Sequence, residues 1–557
     1  MVDNSESRHA LDSGDEGTAD ADINASETDA FLSAQTPNQI LTPHGLSTQK
    51  LIPIFASAWL ALMLAALGMN ILEFNYGIDS RRPNIWLIWL IQVVGMYLIG
   101  VATAQPLIGR LTEIYSRRSG LLTTNVLFLL GTIGCGVAPS LSFLIAARTI
   151  AGIGAGGIYA CSTVINNDLL TERQRGLVGG IINLCYGVFM SLGGLFGGWI
   201  NDVWGWRMAF LIQIPIILTG IVGVYLFVYV PRSPRPMPSW RRIDFLGAAS
   251  LIGFLAFMLV GLNLGGNILP WSHPLVLVAL PLSAVCLGFF ILVESNPKWA
   301  PEPIIPLHLV RQKTVLSVGI TYFFTHVSAF TIAYYLPVYF QLLGYSTTQA
   351  GLRFTPTSIS DGISALITGI FLRVTGKFLV MNRVLHLLNI AGAVLFLNLS
   401  LNSQSWYYFL ALVCAGAGFG GILNVNITSL VASVKREDQA LAVSAAFVFR
   451  SAGSTLGVTL ASTVFQNMLR TNLVRQLAGE DDADRIIRIL RENFEAIWAL
   501  PESMKELVRD CYMRALWGVF LCVLVTIVLG AVASLGIEEK VLRKTMEEPD
   551  PLQPPAP

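Results

Sequence analysis

Fourteen long apolar runs constrain this chain more tightly than any other feature. They lie near 51–74, 84–108, 120–139, 141–164, 176–200, 208–230, 243–264, 274–293, 314–342, 349–372, 383–402, 406–433, 439–468 and 513–536. Each is long enough to cross about 30 Å of hydrocarbon as a helix, the one open-chain form that satisfies its own backbone there. Only 13% of the 557 residues are charged, against about 25% in soluble globular domains, and mean hydropathy is +0.61. The chain is therefore predicted to be an all-α, multi-pass membrane protein. An even number of spans places both termini on one side.

Lysine and arginine set the orientation. The short loops of one side carry Arg110, Arg117, Arg118, Arg173, Arg175, Arg232, Arg235, Arg241, Arg242, Lys298, Arg311, Lys313, Arg373, Lys377, Arg383, Lys435 and Arg436. The other side holds Arg81, Arg82 and Arg207, with Arg353 just inside a span. Basic loops stay on the cytosolic side, so both termini are expected there. Residues 1–48 are polar and acidic, too poor in apolar groups to fold alone, and read as a disordered cytosolic tail without a cleavable signal. A long non-cytosolic loop, 469–511, repeats Ile486, Ile487, Ile489, Leu490, Phe494 and Ile497 at helical spacing and is expected to be an amphipathic surface segment.

The net charge of +1 gives no reason to expect a nucleic-acid partner. Six of the seven cysteines fall in apolar runs (Cys135, Cys161, Cys185, Cys286, Cys414, Cys522), so neither a disulfide framework nor a metal site is expected. No nucleophile or nucleotide-binding motif supports an enzyme, and no cofactor is implied.

The link between the second and third runs, Pro106 to Arg118, is short and basic, with Gly109, Arg110, Glu113, Arg117 and Arg118. Glu113 and Arg117 stand four apart and can pair on a helical turn. Such a link serves as a topological anchor, or as a gate that ties helices together in one conformation and releases them in another. Gly369 to Lys377 closes the tenth run as Gly109 to Arg118 closes the second, the pattern of a transporter repeat. Inside the spans, Arg148, Asp361 and Arg450 are the charged residues that stand out, with His326, Asn389, Asn424 and Asn426 as further polar groups and Glu73 at the end of the first run. Ionisable groups in hydrocarbon are costly and usually functional. Around Arg148 follow Gly152, Gly154 and Gly156, and the fifth run holds Gly193, Gly194, Gly197 and Gly198, which allow helices to approach closely.

The link at Gly109–Arg118 resembles the signature that follows the second helix of the major facilitator superfamily, with Glu113 for its aspartate and Ser116 for a glycine. The glycines of the fifth run resemble the superfamily's antiporter signature, with Gly194 in place of its proline. Trp206, Arg207 and Phe210 fit the fourteen-span drug:proton antiporter branch. In the second half, Tyr335–Gln341, Ala350–Pro356, Thr375–Lys377, Arg436–Ala440 and the stretch from Phe449 through Arg450 and Gly457 to Gln466 resemble fungal vacuolar basic amino acid transporters and their multidrug-resistance relatives. The resemblance covers about residues 50 to 536. The family's first-span aspartate is absent, with Gly68 in its place, and Glu73 lies about 140° around the helix from that position.

The resemblance implies a major facilitator fold with 14 transmembrane helices. The expected parts are a six-helix bundle in 49–230, two extra helices in 231–313, a second six-helix bundle in 314–536, and a cytosolic tail, 537–557. The implied function is proton-linked transport of small organic solutes, basic amino acids into the vacuole first and drug or toxin export second. A non-transporting membrane sensor is the reading from another class. The partners are the solute, protons and the lipid bilayer. Asp361 and Glu73 are the candidate acids for a cationic solute or a proton.

Overall fold

A computed structural model describes residues 48–70, 96–101, 103–105, 107–108, 111–112, 116–228, 244–265, 271–296, 299, 303–305, 307–435, 438–477, 483–492, 494–540 and 542. Helices take up almost all of them, with no strand among the described residues. The helices are α1 Thr48–Asn70, α2 Met96–Gln105, α3 Arg117–Gly136, α4 Leu141–Leu169, α5 Glu172–Trp204, α6 Trp206–Phe227, α7 Phe245–Leu264 and α8 Pro274–Ser295. They continue with α9 Lys313–Leu342, α10 Thr347–Thr375, α11 Leu379–Leu397, α12 Ser405–Ser433, α13 Gln439–Gln476, α14 Ala483–Glu492 and α15 Glu502–Ser534. Among the described residues, twelve are long and apolar enough to cross a membrane. The other two expected spans are represented by α2, the described part of the second run, and by the 33-residue α5. The described residues from Pro53 onward form one compact unit.

Local chemistry sets the helix starts. Ser116 and Ser140 are extended N-caps whose hydroxyls accept from Ser119 N and Phe143 N. Ser346 and Gln349 make a reciprocal capping box at α10, which ends on Gly376 at φ 69°, a left-handed position suited to glycine. Asp244 caps α7 by accepting from Gly247 N at 2.7 Å, and burial pushes its carboxyl up against the pull of that bond.

The span ends differ from expectation between α13 and α15. Helix α13 runs on to Gln476 and α15 starts at Glu502, so the intervening segment is shorter than 469–511. It lies at the protein surface with one face turned inward: Arg485, Arg488 and Arg491 are exposed. Ile487, Leu490 and Ile497 are buried against Leu473, Leu477 and Tyr512, whose hydroxyl donates to Leu490 O, while Ile489 faces outward. The extended helices bring protein within reach of the apolar stripe, which solvent would otherwise have met.

Glycine stripes fix the helix packing, and they do so twice. On α4, a β-carbon at Gly156 would come within 2.5 Å of the Val101 carbonyl oxygen, and one at Gly152 would meet that of Tyr97. On α12, Gly416 and Gly420 stand in the same relation to the carbonyls of Thr357 and Asp361 on α10. Tyr97/Val101 and Thr357/Asp361 share the sequence offset of the two turns at Gly109 and Gly369. Likewise Gly193 of α5 lies on the Leu67 carbonyl of α1, and Gly453 of α13 on the Phe323 carbonyl of α9. Without side chains at these points the backbones touch, which is how helices associate where lipid removes the hydrophobic drive.

The peripheral and central helices differ in cover. The apolar windows of α6, α7 and α8 are less than 30% buried within the protein, whereas those of α9 and α12 are 61% buried. Lipid is the natural neighbour of the first group. The α7–α8 pair attaches through Leu251, Leu255 and Phe290, which pack with Ala445 and Val448 of α13.

Candidate transport cavity

Six helices surround a cavity with polar side chains in its wall. Leu62 of α1, Tyr159, Ser162, Thr163, Asn166 and Asn167 of α4, and Arg175, Gly179, Ile182 and Asn183 of α5 form one part of its wall. Tyr322 of α9, Leu423, Asn424, Ile427, Thr428 and Val431 of α12, and Phe447 and Arg450 of α13 form the other. Arg450 is eleven residues into α13, and Tyr159 and Leu423 are ten from the ends of α4 and α12. At 1.5 Å per residue these groups sit about 15–17 Å from that end, well inside their helices. Arg450 donates from Nη1 to the Tyr159 hydroxyl at 2.8 Å, with its guanidinium 4.8 Å from the centre of the same ring. Tyr159 in turn packs edge-on against Tyr186 and Phe447.

The wall beside the cavity is tight. Gly180 of α5 lies on the Ala365 carbonyl of α10, and Gly176 and Gly369 face each other. Asn424 Nδ2 bridges them, donating to Gly176 O at 2.9 Å and Ala365 O at 2.8 Å. At the mouth, Arg175 donates to Leu170 O at 2.9 Å, to Asn167 O, and to Gln439 Oε1 of α13 at 3.1 Å. The cavity is thus bounded by contacts between α5 on one part and α10, α12 and α13 on the other.

The residues singled out from sequence fall in three places. Of the charged link, Gly109, Arg110 and Glu113 lie outside the described residues, as does Glu73. Arg117 and Arg118 open α3. Arg117 Nε pairs with Asp168 Oδ2 at 2.8 Å and its Nη1 donates to Thr112 at 3.2 Å. Arg118 donates to Tyr225 O and lies 4.6 Å over the Tyr225 ring, so the start of α3 is tied to the ends of α4 and α6. Asp168 was not foreseen. It is an acid at the end of an apolar run facing a basic turn, a signal present in the sequence.

Arg148 is not among the cavity's lining residues and is almost fully buried, at 1% exposure. Its Nη1 donates to Gly68 O at 3.0 Å, and its guanidinium lies 4.4 Å from the Tyr97 ring and 5.8 Å from Phe210. Tyr97 donates to Ala65 O at 3.2 Å, so arginine and tyrosine together hold one stretch of α1. Gly152, Gly154 and Gly156 pack beside them against α2 and α3. Gly193 and Gly197 are buried on α5, and Gly194 and Gly198 lie in the same helix.

Asp361 lies on α10, outside the cavity lining, with its Oδ1 buried against Gly420 and without a hydrogen-bond partner among the described residues. Arg450 is the charge that acts on it. His326 is 1% exposed and bonded through Nδ1 to Tyr322 O at 2.8 Å, while Phe419 and Phe330 flank its ring. Arg450 and Asp361 are thus electrostatically linked, whereas Arg148 belongs to a separate cluster. Tyr159 and Arg175 complete the lining and were not singled out from sequence.

Long apolar helices that repeat one glycine register enclose this cavity. The family model described as Major Facilitator Superfamily matches residues 51–458, and the chain belongs to that superfamily. It is 32% identical to the multidrug resistance protein fnx1 of Schizosaccharomyces pombe, over 89% of this chain and 94% of that protein. It is 29% identical to the vacuolar membrane amino acid uptake transporter fnx2 of the same yeast, over 90% and 86%. Vacuolar basic amino acid transporter 2 of Saccharomyces cerevisiae is 33% identical over 75% of this chain and 91% of its own length. Among solved structures, the human organic anion transporter MFSD10 (TETRAN) shares the fold, with a TM-score of 0.51 at 15% identity, over 86% of this chain and 99% of its own. The chain is a multi-pass membrane transporter.

Proposed function

We propose that the chain is a proton-coupled secondary active transporter of small organic solutes, working by alternating access between two six-helix bundles at 49–230 and 314–536. The carrying observation is the cavity enclosed by helices of both halves, with the Arg450–Tyr159 pair in its wall. The cavity lies toward the helix ends that bear Arg117, Arg175 and Lys435, the end expected to be cytosolic. Asp361 and Glu73 are the acids assigned to coupling. The contacts of Arg117 and Arg118 serve as the gate on that side.

Amino acids delivered to the vacuole are the first reading of the cargo, supported by the names of two relatives. Drug or toxin export is the second, supported by the name of a third. Uptake of radiolabelled lysine or arginine by vacuolar vesicles of cells expressing the chain, with the proton gradient intact or collapsed, tests it. Gradient-dependent accumulation above vesicles lacking the chain is expected. Uptake unaffected by collapse of the gradient would overturn the coupling, and no uptake of any solute would overturn transport.

A further inference from the structure

We propose that the cavity is a carboxylate receptor. Arg450, steadied by Tyr159, docks the carboxylate of an amino acid or other small organic acid, and cations without a carboxylate are not matched by the site. This deepens the transport reading and rests on the cavity being the solute's path.

The first ground is charge. Among the described lining residues the only ionisable groups at neutral pH are Arg175 and Arg450, and no aspartate or glutamate is among them. Arg175 is committed to the mouth, where it holds Leu170 O, Asn167 O and Gln439. Arg450 is different. Its one hydrogen bond among the described residues goes to a neutral acceptor, the Tyr159 hydroxyl. A guanidinium has five N–H groups in a planar fork, so most of its donors remain for a ligand.

The second ground is depth. Arg450 stands about 16 Å along α13, where water is scarce and a positive charge demands an anionic partner. Asp361 is not in the lining. A solute carboxylate would meet the fork in a bidentate, charge-assisted pair, the strongest class of hydrogen bond available to such a site. A cation entering the same space would meet a like charge at low dielectric. The third ground is the rest of the wall, where Asn166, Asn183 and Thr428 offer neutral donors and acceptors suited to an amine or hydroxyl of the same solute.

The test compares amino acids with their C-terminal amides, which keep the amine and side chain but lack the carboxylate. Binding of lysine and lysinamide, and of alanine and alaninamide, is measured by thermal stabilisation of the purified full chain in detergent. The acid should bind at least tenfold more tightly than its amide in each bound pair, and Arg450→Gln should erase the preference. Tyr159→Phe, which removes only the hydroxyl that steadies the fork, should narrow the preference while leaving the unliganded melting temperature in place, and it serves if Arg450→Gln does not fold. Equal binding of acid and amide by the wild type overturns the proposal. So does a preference that survives in both variants, and so does the absence of binding by either member of both pairs. Vesicle uptake separates this from the broader reading. Gradient-driven uptake that accepts acid and amide alike sinks the carboxylate site alone, and a carboxylate preference in a chain that moves no solute sinks transport alone.

Discussion

The segment after α15 supplies a helix cap that α11 lacks, and removing it gives a sharp prediction. Helix α11 starts after Phe378, whose side chain can accept nothing. Glu539 takes that role from a distance: its Oε1 accepts from Phe378 N at 2.8 Å and Leu379 N at 3.2 Å. Around it, Glu538 pairs with Lys313 at 3.2 Å, Lys540 donates to Ser433 O at 3.3 Å, and Leu542 N donates to Gly376 O at 3.0 Å. One short stretch therefore clasps the start of α9, the turn between α10 and α11, and the end of α12. Loss of a capping acceptor costs about 0.5–2 kcal/mol, and the charge at a helix N-terminus contributes about 0.3–1 kcal/mol of that. At 1.4 kcal/mol per tenfold, Glu539→Ala should speed exchange of the Phe378 and Leu379 amides about 2- to 30-fold. Glu539→Gln keeps the acceptor and loses the charge, so its effect should be about 2- to 5-fold. Hydrogen exchange read by mass spectrometry across 376–385 is the assay. Exchange unchanged in Glu539→Ala would refute the cap, and exchange unchanged in Glu539→Gln would refute the share assigned to its charge.

Arg148→Ala should reduce uptake about tenfold or more, the scale of a lost charged hydrogen bond, with insertion and surface labelling unchanged; normal uptake by a well-expressed variant removes Arg148 from the mechanism. Asp168→Asn frees Arg117 from a partly exposed pair worth about 1 kcal/mol or less, and should shift the labelling of single cysteines toward the inward-open pattern by up to about fivefold; an unchanged ratio would reduce the basic turn to an anchor. Gly420→Ala drives a methyl into the Asp361 carbonyl and should cost about 1–3 kcal/mol of stability. Gly68→Ala has its nearest neighbours at 3.5 Å and 3.7 Å and should be tolerated in the same unfolding assay.

The all-helical, multi-pass class was legible because hydrophobic runs are a one-dimensional signal. The twin turns at Gly109 and Gly369 also carried the repeat, whose offset recurs in the carbonyls beneath Gly156 and Gly420. What could not be read was which polar groups meet. Tyr159 and Arg450 are 291 residues apart, and Asn424 reaches Gly176 across 248. Only packing brings such pairs together. The amphipathic stretch at Ile486–Ile497 was legible as a periodicity but not in its partner, because the same stripe fits lipid, water's edge or protein. Arg148 and Arg450 looked alike as buried arginines. Packing separates them, one holding the carbonyl of Gly68 and the other facing a cavity.

The most direct test of the account is Asp361→Asn, read for accumulation and exchange of the same labelled amino acid in the same vesicles. Asparagine fits the space beside Gly420 and mimics the protonated acid. If Asp361 couples solute movement to protons, the variant loses gradient-driven accumulation and retains exchange at close to the wild-type rate. Full accumulation by Asp361→Asn would contradict the account.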